Sequence, residues 1–320
     1  MTLVAAFYRF AALEALPRLR GELLALAAPA GVRGTILLAP EGVNGTISGP
    51  EEGVWAVLAR LRQVPGLEAL KATFSQAPEQ VFARLRVRLK REIVALGQPQ
   101  VVPYLDSRVG THVPPEQWEA LIADPGTLLI DTRNAYEVAI GSFEGAIDPG
   151  SESFSAFPTW VEQTLRPLVE KQRPQAIAMF CTGGIRCEKA SAYLMQQGFE
   201  GVQQLQGGIL RYLQTVPPAS GFWRGECFVF DQRVALNHQL EPGGHSLCHA
   251  CGWPLSPVDR NLASYEEGVS CRHCQERFSD ADRARFAERQ RQIERAQALG
   301  AQHLDAAMGS ARDAATLAGS

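Results

Sequence analysis

A cysteine directly after an apolar stretch begins a segment that could support thiol chemistry. Cys181 follows the run AIAMF, and the residues TGGIR then lead into a segment with helical periodicity. A thiol reacts as its thiolate, and both a helix N-terminus and a nearby arginine lower a thiol pKa. Glycines in the turn allow backbone angles that direct N–H groups towards the sulfur. The segment therefore predicts a cradle for a thiolate, a persulfide or a small anion, rather than a cysteine that is only buried in a tight turn. We expect Cys181 and Arg186 to be catalytic and the loop between them to consist of Thr182, Gly183, Gly184 and Ile185.

Two further cysteines have less specific surroundings. Cys187 shares a helix face with Ala190 and Leu194, which predicts that it packs against a sheet. The alternative is that Cys187 is a second thiol that resolves an intermediate on Cys181. Cys227 has no partner by sequence and is expected in the core.

The remaining four cysteines form two pairs, CHAC and CRHC, with the spacing C-x2-C-x19-C-x2-C. Each pair can present two sulfurs from one tight turn, and four thiolates satisfy tetrahedral zinc. Because all four positions would be filled by protein, the pattern predicts a structural rather than a catalytic zinc site. The predicted ligands are Cys248, Cys251, Cys271 and Cys274.

Basic and apolar residues alternate in FARLRVRLKREIV, which places four cations two residues apart at Arg84, Arg86, Arg88 and Lys90. On a strand this alternation puts the cations on one face at a spacing of about 6.6 Å. Such a row matches a phosphate backbone and suggests contact with RNA. It is equally typical of a solvated sheet face with ordinary surface charge.

The elements that position the thiol follow an α/β pattern from about residue 115 to 220. The apolar strands TLLID and AIAMF and the short strand VQQL alternate with helical segments. This pattern predicts a doubly wound parallel sheet with helices on both faces, in which ligands bind at the C-terminal strand ends. Cys181 falls at such an end. The stretch from about 99 to 114 is rich in Pro and Gly and is expected to be a linker.

Three other regions flank this one. Residues 1–98 follow the order β-α-β-β-α-β, which predicts a ferredoxin-like α+β domain. Its first helix pattern, LEALPRLRGELLALAAP, continues despite Pro17, and the segment that carries the four cations reads as a long strand. Residues 221–279 form the cysteine-rich segment. Residues 280–320 are predicted to be a charged helix followed by a flexible tail.

The length, composition and net charge of the chain restrict the classes of protein to which it can belong. The chain has 320 residues, of which 46% are hydrophobic and 20% are charged, so two or three soluble domains are expected. The net charge of −3 predicts no global attraction to nucleic acid, and any such site must be a local patch. No apolar run suggests a membrane span, and the N-terminus does not read as a signal peptide. We therefore expect a cytoplasmic location, where seven cysteines serve catalysis or metal binding rather than disulfides.

Several of these segments resemble rhodanese-like domains. CTGGIR has the Cys-x4-Arg pattern of the rhodanese active-site loop, LLIDTRNAYEVAIGSFEGAI resembles the rhodanese signature, and LQGGILRY resembles the segment after the last strand. The resemblance implies a central rhodanese domain. Asp131, Arg133 and Glu137 lie within the signature, where we expect structural ion-pair partners rather than catalysts.

The resemblance extends to most of the chain. LLAPEGVNGTISG, REIVALG, FCTGGIRCEKAS and CFVFDQRVALNH, followed by the two Cys pairs, occur in the order typical of the bacterial tRNA uridine 34 hydroxylase family, over about residues 1–278. This resemblance implies tRNA as the partner and oxygen-dependent conversion of the wobble uridine to 5-hydroxyuridine. It also implies molecular oxygen as co-substrate and an essential loop cysteine. No flavin, haem or non-haem iron motif is evident.

Two classes of function therefore remain open. One is a tRNA-modifying enzyme, as the resemblance implies. The other is a sulfurtransferase or persulfide carrier that uses the same cysteine without RNA. A non-catalytic zinc-ribbon adaptor is disfavoured, because Cys181 and Arg186 are both present.

Overall fold

The computed structural model describes residues 1–105, 109–218 and 221–298. The tail predicted beyond residue 298 lies outside these ranges. Among the helices of the described residues, none is long and apolar enough to cross a membrane.

The N-terminal unit is a five-stranded sheet covered on one face by two helices. Its strands have the order β4-β1-β3-β2-β5, in which β5 runs parallel to β2 and the other neighbours are antiparallel. This confirms the ferredoxin-like prediction, and β5, from the segment that carries the four cations, forms an edge of the sheet. The elements are β1 (Thr2–Phe10), α1 (Leu16–Ala27), β2 (Arg33–Ala39), β3 (Gly42–Gly49), α2 (Glu51–Arg62), β4 (Ala72–Ala77) and β5 (Leu85–Leu89).

Alternation along the strands decides which face the helices cover. In β1, Ala5 and Phe7 are buried in the core beneath α1 and α2, whereas Tyr8 and Phe10 on the opposite face are only partly buried. The helix-free face of this sheet therefore remains available to form a surface with another part of the molecule.

Two predicted elements of this unit differ from the structure. The first helix begins at Leu16 rather than Leu13, because Pro17 lacks an N–H and is tolerated only in the first turn. The long strand predicted around Arg86 is only five residues, β5. After Leu89 the chain leaves the sheet, and the backbone N–H of Ile93 donates to the Glu41 carboxylate instead (2.6 Å).

The segment predicted as a linker ends in a strand, which corrects that prediction. β6 (Thr111–Val113) pairs in parallel with the strand Val202–Leu205 and forms the edge of the central sheet. Three residues leave too short a pattern to recognise by alternation, and Pro and Gly around them favour a linker interpretation.

The central unit is an all-parallel sheet with the order β6-β10-β9-β7. Apolar clusters cover both of its faces, with Ile177 and Met179 in one and Ala178 and Phe180 in the other, as the doubly wound prediction requires. After β6, its elements are α3 (Pro115–Ile122), β7 (Thr127–Asp131), α4 (Ala135–Val138), β8 (Gly141–Phe143), α5 (Phe157–Trp160), α6 (Arg166–Gln172), β9 (Ala176–Phe180), α7 (Ile185–Gln196), β10 (Val202–Leu205) and α8 (Gly208–Thr215).

The helical segment before β9, which the residues SAFPTWVEQTLRPLVEK predict as one long helix, is divided. A π-helical turn, Val161–Leu165, separates α5 from α6. Pro167 lies at the start of α6 and cannot donate to the preceding turn, which explains the change in hydrogen-bonding pattern at this point.

The C-terminal unit consists of short hairpins and one long helix. Its first strand pairs with β8 of the central unit, and Arg233 reaches β4 of the N-terminal unit, where it donates to the Ser75 hydroxyl (3.0 Å). Its elements are β11 (Trp223–Gly225), β12 (Cys227–Phe228), β13 (Ala235–Leu236), β14 (Ser246–Leu247), β15 (Pro254–Leu255) and α9 (Asp280–Ala298).

Candidate active site

Cys181 directly follows β9, and the loop after it wraps around its sulfur. The backbone N–H of Gly184 donates to Cys181 Sγ at 3.1 Å. Gly184 has φ +101°, a conformation that side chains rarely adopt, and it immediately precedes α7. The predicted strand–loop–helix geometry is therefore present, and it directs a backbone donor to the thiol.

The N-terminus of α8 fixes this loop from the other side. The N–H groups of Ile209 and Leu210 donate to the carbonyls of Cys181 (2.9 Å) and Thr182 (3.1 Å). Gly208 allows this approach, because a Cβ there would lie 2.5 Å from the Cys181 carbonyl oxygen. This support was not predicted from the sequence, although the adjacent glycines of LQGG were a usable signal.

The Cys181 thiol is strongly acidified although it is fully buried. Burial raises its pKa, but several interactions outweigh this and lower the pKa to about 6. They are a hydrogen bond from the Cys187 thiol, the charge of Arg186, and the backbone N–H groups of Cys187 and Gly184. The side chain can therefore exist as a thiolate at neutral pH, which is the form that attacks electrophiles.

The Arg186 guanidinium pairs with the Glu137 carboxylate. Two hydrogen bonds of 2.6 and 2.7 Å join Arg186 to the Glu137 carboxylate, which is completely buried. Burial raises the pKa of Glu137, but the Arg186 charge and hydrogen bond outweigh it and lower the pKa. Arg186 thus supports the thiolate from within an ion pair, and Thr182 Oγ1 donates to the same carboxylate (3.3 Å).

Cys187 lies within reach of the first thiol and is itself buried in the sheet cluster. Its sulfur lies 3.5 Å from the Thr132 hydroxyl. Burial and the proximity of Cys181 hold its pKa well above the usual value. Cys187 therefore packs against the sheet, and in addition it holds the proton that a hydrogen bond to the Cys181 thiolate requires.

Asp131 and Arg133 form a buried pair beneath the site. Arg133 donates to both Asp131 oxygens (2.9 and 2.7 Å), and neither side chain is exposed. Cys227 is also fully buried, and burial raises its pKa to about 12. These three residues do not line the cleft described next.

A cleft of about 1710 Å³ separates the helix-free face of the N-terminal sheet from the Cys181 loop. Its lining includes Cys181, Thr182, Gly183, Ile185 and Arg186. The row of cations forms part of the opposite wall, where Arg84, Arg86, Arg88 and Lys90 line the cleft and the intervening apolar residues do not. Burial, followed by the charges of Arg88 and Arg84, lowers the pKa of Arg86. The crowded cations therefore face the same space as the thiol.

A buried ion cluster joins the two walls of this cleft. Lys189 in α7 is fully buried and donates to Glu41 (2.7 and 2.9 Å) and to Glu92 (2.7 Å), both from the N-terminal unit. Sequence analysis missed it, because nothing local in the chain marks these three residues as partners.

The four C-terminal cysteines converge on one point. Their sulfurs lie within 4.8 Å of one another and could hold a metal ion. The distances are 3.9 Å for Cys248–Cys274 and 3.7 Å for both Cys251–Cys271 and Cys271–Cys274. Zn–S bonds of about 2.3 Å in a tetrahedron require sulfurs about 3.8 Å apart. The cluster therefore fits a tetrahedral thiolate site, with β14 and β15 forming the hairpin around the first pair.

Two family profiles match consecutive parts of this chain. The profile of the UPF0176 acylphosphatase-like domain matches residues 2–93, and that of the rhodanese-like domain matches residues 114–215. A rhodanese-like domain from Anabaena, 17% identical, aligns with 36% of this chain and 78% of its own length at a TM-score of 0.27.

Full-length relatives are much closer in sequence. A tRNA uridine(34) hydroxylase from Synechococcus sp. (strain CC9605) is 59% identical over 302 residues, which cover 92% of each chain. Proteins of the same name from Parasynechococcus marenigrum and Mesorhizobium japonicum are 56% and 50% identical. These alignments cover 91% and 93% of this chain and 92% and 94% of the relatives.

Proposed function

Because the chain belongs to the tRNA uridine(34) hydroxylase family, we propose that it hydroxylates the wobble uridine of tRNA at C5, with Cys181 as its nucleophile. The observation that carries this assignment is the placement of an acidified thiol in a cleft whose opposite wall presents four cations. A phosphate backbone would follow the cations while one base reaches the sulfur.

The chemistry that suits a thiolate beside a uracil ring is addition to C6, which is the electron-poor end of the C5=C6 bond. The sulfur lone pair forms the S–C6 bond, and the π electrons move to C5 and on to O4. This makes C5 nucleophilic, as hydroxylation at that carbon requires. Once C5 carries the oxygen, loss of the C5 proton and expulsion of the Cys181 thiolate from C6 break the S–C6 bond and restore the C5=C6 bond. The Gly184 N–H and the Cys187 thiol stabilise the free thiolate. The thiolate is therefore populated at neutral pH, while its sulfur remains nucleophilic.

Oxygen-dependent hydroxylation needs a defined supply of electrons. Conversion of uridine to 5-hydroxyuridine by molecular oxygen consumes two electrons and two protons and releases one water. We therefore propose a two-electron donor of the dithiol class as co-reactant. A reducing cytoplasm supplies such donors, and all seven cysteines are free.

The remaining units have supporting roles in this proposal. Residues 1–98 provide the tRNA-contacting wall through Arg84, Arg86, Arg88 and Lys90. Residues 115–220 carry the chemistry, and residues 221–279 hold a structural zinc on Cys248, Cys251, Cys271 and Cys274. Elemental analysis should find about one zinc per chain, and Cys248→Ser should lose it.

A sulfurtransferase is the second candidate, because the same loop would cradle a persulfide on Cys181. The two functions differ in the atom that is transferred and in the acceptor. A persulfide carrier transfers sulfur to cyanide or a thiol without RNA, whereas a hydroxylase leaves oxygen on uridine and needs tRNA.

Complementation of a deletion strain tests the proposal. The wild-type gene should restore 5-hydroxyuridine in tRNA nucleosides, and ¹⁸O₂ should label the new hydroxyl. Cys181→Ser should give a folded protein and no product, because a serine hydroxyl forms no comparable anion at neutral pH. Normal modification by Cys181→Ser would refute the mechanism, and thiosulfate-dependent thiocyanate formation without any hydroxylation would favour the sulfurtransferase.

A further inference from the structure

Tyr8 brings a phenol from the N-terminal unit to the Cys181 loop. It lies on the helix-free face of β1 and lines the same cleft as Cys181. Its hydroxyl oxygen lies only 2.9 Å from the position that a Cβ on Gly184 would occupy. Gly184 is the residue whose N–H donates to the Cys181 sulfur. One wall of the cleft therefore places a polar group directly against the loop of the other.

The Tyr8 hydroxyl has no hydrogen-bond partner among the described residues. The ring is partly buried, and part of the side chain remains exposed to the cleft. The hydroxyl is not one of the buried unpaired polar atoms of the described residues, so it is accessible from the cleft. It can therefore exchange a bound water for an acceptor on a ligand in the cleft.

The surroundings fix the hydroxyl as a donor. Burial raises the pKa of Tyr8, and the negative charges of Glu188 and of the Cys181 thiolate raise it further. The phenol is thus protonated at neutral pH and offers its hydrogen to an acceptor. The Tyr8 ring also makes an edge contact with the Phe10 ring (6.3 Å between centroids).

We propose that the Tyr8 hydroxyl is a substrate contact that donates a hydrogen bond to O4 of the wobble uracil as the base approaches Cys181. This inference rests on the proposed function and adds the group that recognises the base. A donor at this position suits uracil, whose O4 is an acceptor, and opposes cytosine, which carries an amino group there. It also stabilises the charge that reaches O4 when the thiolate adds to C6.

Protection of Cys181 from alkylation tests base recognition without requiring turnover. Iodoacetamide labelling of the Cys181 peptide is followed by mass spectrometry in the presence of anticodon stem-loops with U34 or C34. The U34 stem-loop should protect the wild-type protein at lower concentration than the C34 stem-loop. In Tyr8→Phe the half-protecting concentration of U34 RNA should rise about three- to tenfold, as expected for one hydrogen bond. The ratio between the half-protecting concentrations of C34 RNA and U34 RNA should also become smaller in Tyr8→Phe.

Two controls separate recognition from structure. Tyr265→Phe makes the same chemical change beside the cysteine cluster, away from the cleft, and should behave as wild type. Tyr8→Phe should keep the wild-type melting temperature and the wild-type alkylation rate without RNA. Its hydroxylation rate at saturating tRNA should fall at least about tenfold, because O4 gains charge in the transition state.

The outcomes are distinguishable. Equal protection by U34 and C34 RNA in the wild type, or unchanged protection and rate in Tyr8→Phe, would overturn the role of Tyr8. A parallel loss of melting temperature would reduce Tyr8 to a structural residue. If the wild-type protein forms no 5-hydroxyuridine, the proposed function fails, and the protection assay still decides whether Tyr8 recognises the base.

Discussion

The Cys181 thiol keeps a low pKa inside the protein because backbone and side-chain donors replace the solvation that burial removes. The Gly184 N–H contacts the sulfur directly, and Cys187 donates its own proton. Arg186 contributes less than an unpaired cation would, because Glu137 already neutralises it. At the residue scale, the hydrogen bond from Cys187 lowers the Cys181 pKa most, the Arg186 charge follows, and the backbone N–H groups of Cys187 and Gly184 add to both.

The pH dependence of alkylation measures this directly. Reactivity follows the thiolate fraction, so the wild-type rate should rise through a midpoint near the pKa of about 6 and level off by neutral pH. Cys187→Ala removes one donor, and the midpoint should move to higher pH. Cys187→Ser keeps a hydroxyl donor and should fall between.

Cys227→Ala is the matched control, since that thiol is buried outside the cleft and should leave the midpoint unchanged. An unshifted midpoint in Cys187→Ala would assign Cys187 to packing alone. Loss of 5-hydroxyuridine in Cys187→Ser despite a normal midpoint would instead indicate a resolving thiol.

At the element scale, the alternation of basic and apolar residues along β5 places the basic side chains on the wall of the cleft. Val87 is buried beneath α1 and α2, which forces Arg86 and Arg88 towards the cleft. Five residues of strand are enough to orient the whole row of cations, because Arg84 and Lys90 directly flank the two ends of β5.

Charge reversal tests the role of this strand. Arg86→Glu together with Arg88→Glu should weaken tRNA binding and reduce the slope of log K against log salt by about one to two, because fewer counterions are released. Filter binding or fluorescence titration at several salt concentrations gives both quantities. The Cys181 alkylation midpoint should change little.

Arg285→Glu with Arg291→Glu makes the same charge change on the exposed surface of α9 and serves as the control. Equal tRNA affinity and equal salt slopes for the two double variants would mean that the β5 cations form an ordinary solvated face.

At the scale of the whole molecule, the cleft exists because two units are held at a fixed distance. Lys189 lies two residues after Cys187 on α7, and its partners Glu41 and Glu92 come from the N-terminal unit. Burial raises the pKa of Glu41 despite the hydrogen bond from Lys189. One cation serves two carboxylates in this cluster, so its stability depends on Lys189.

Removing the Lys189 side chain should lower the stability of the folded protein. Lys189→Met leaves two carboxylates buried without a counter-charge, and we expect a loss of about 3–5 kcal/mol, seen as a lower melting temperature. Combining Lys189→Met with Glu41→Gln and Glu92→Gln should restore part of the stability that Lys189→Met loses.

Lys171→Met, on the exposed surface of α6, is the matched control and should change the melting temperature little. If Lys189→Met melts at the wild-type temperature, the cluster does not hold the two units together.

The sequence by itself determined those features that depend on local order. The apolar run before Cys181 and the glycines after it specify a strand, a loop and a helix start, and the spacing of the four late cysteines specifies a thiolate cluster. The alternation around Val87 specifies which side chains share a face, because a strand has a period of two. The resemblance to the hydroxylase family rested on such local segments, and relatives that align over nine-tenths of the chain confirmed it.

Only the tertiary structure decided which distant groups meet. Arg186 pairs with Glu137 across 49 residues, and Lys189 pairs with Glu41 across 148. The approach of Tyr8 to Gly184 likewise joins two units. No periodicity or spacing encodes such pairs, because they depend on how the sheets and helices pack after each has formed. The ends of β5 and the strand β6 were missed for the same reason, since pairing with β2 and β10 fixes where these short strands begin and end.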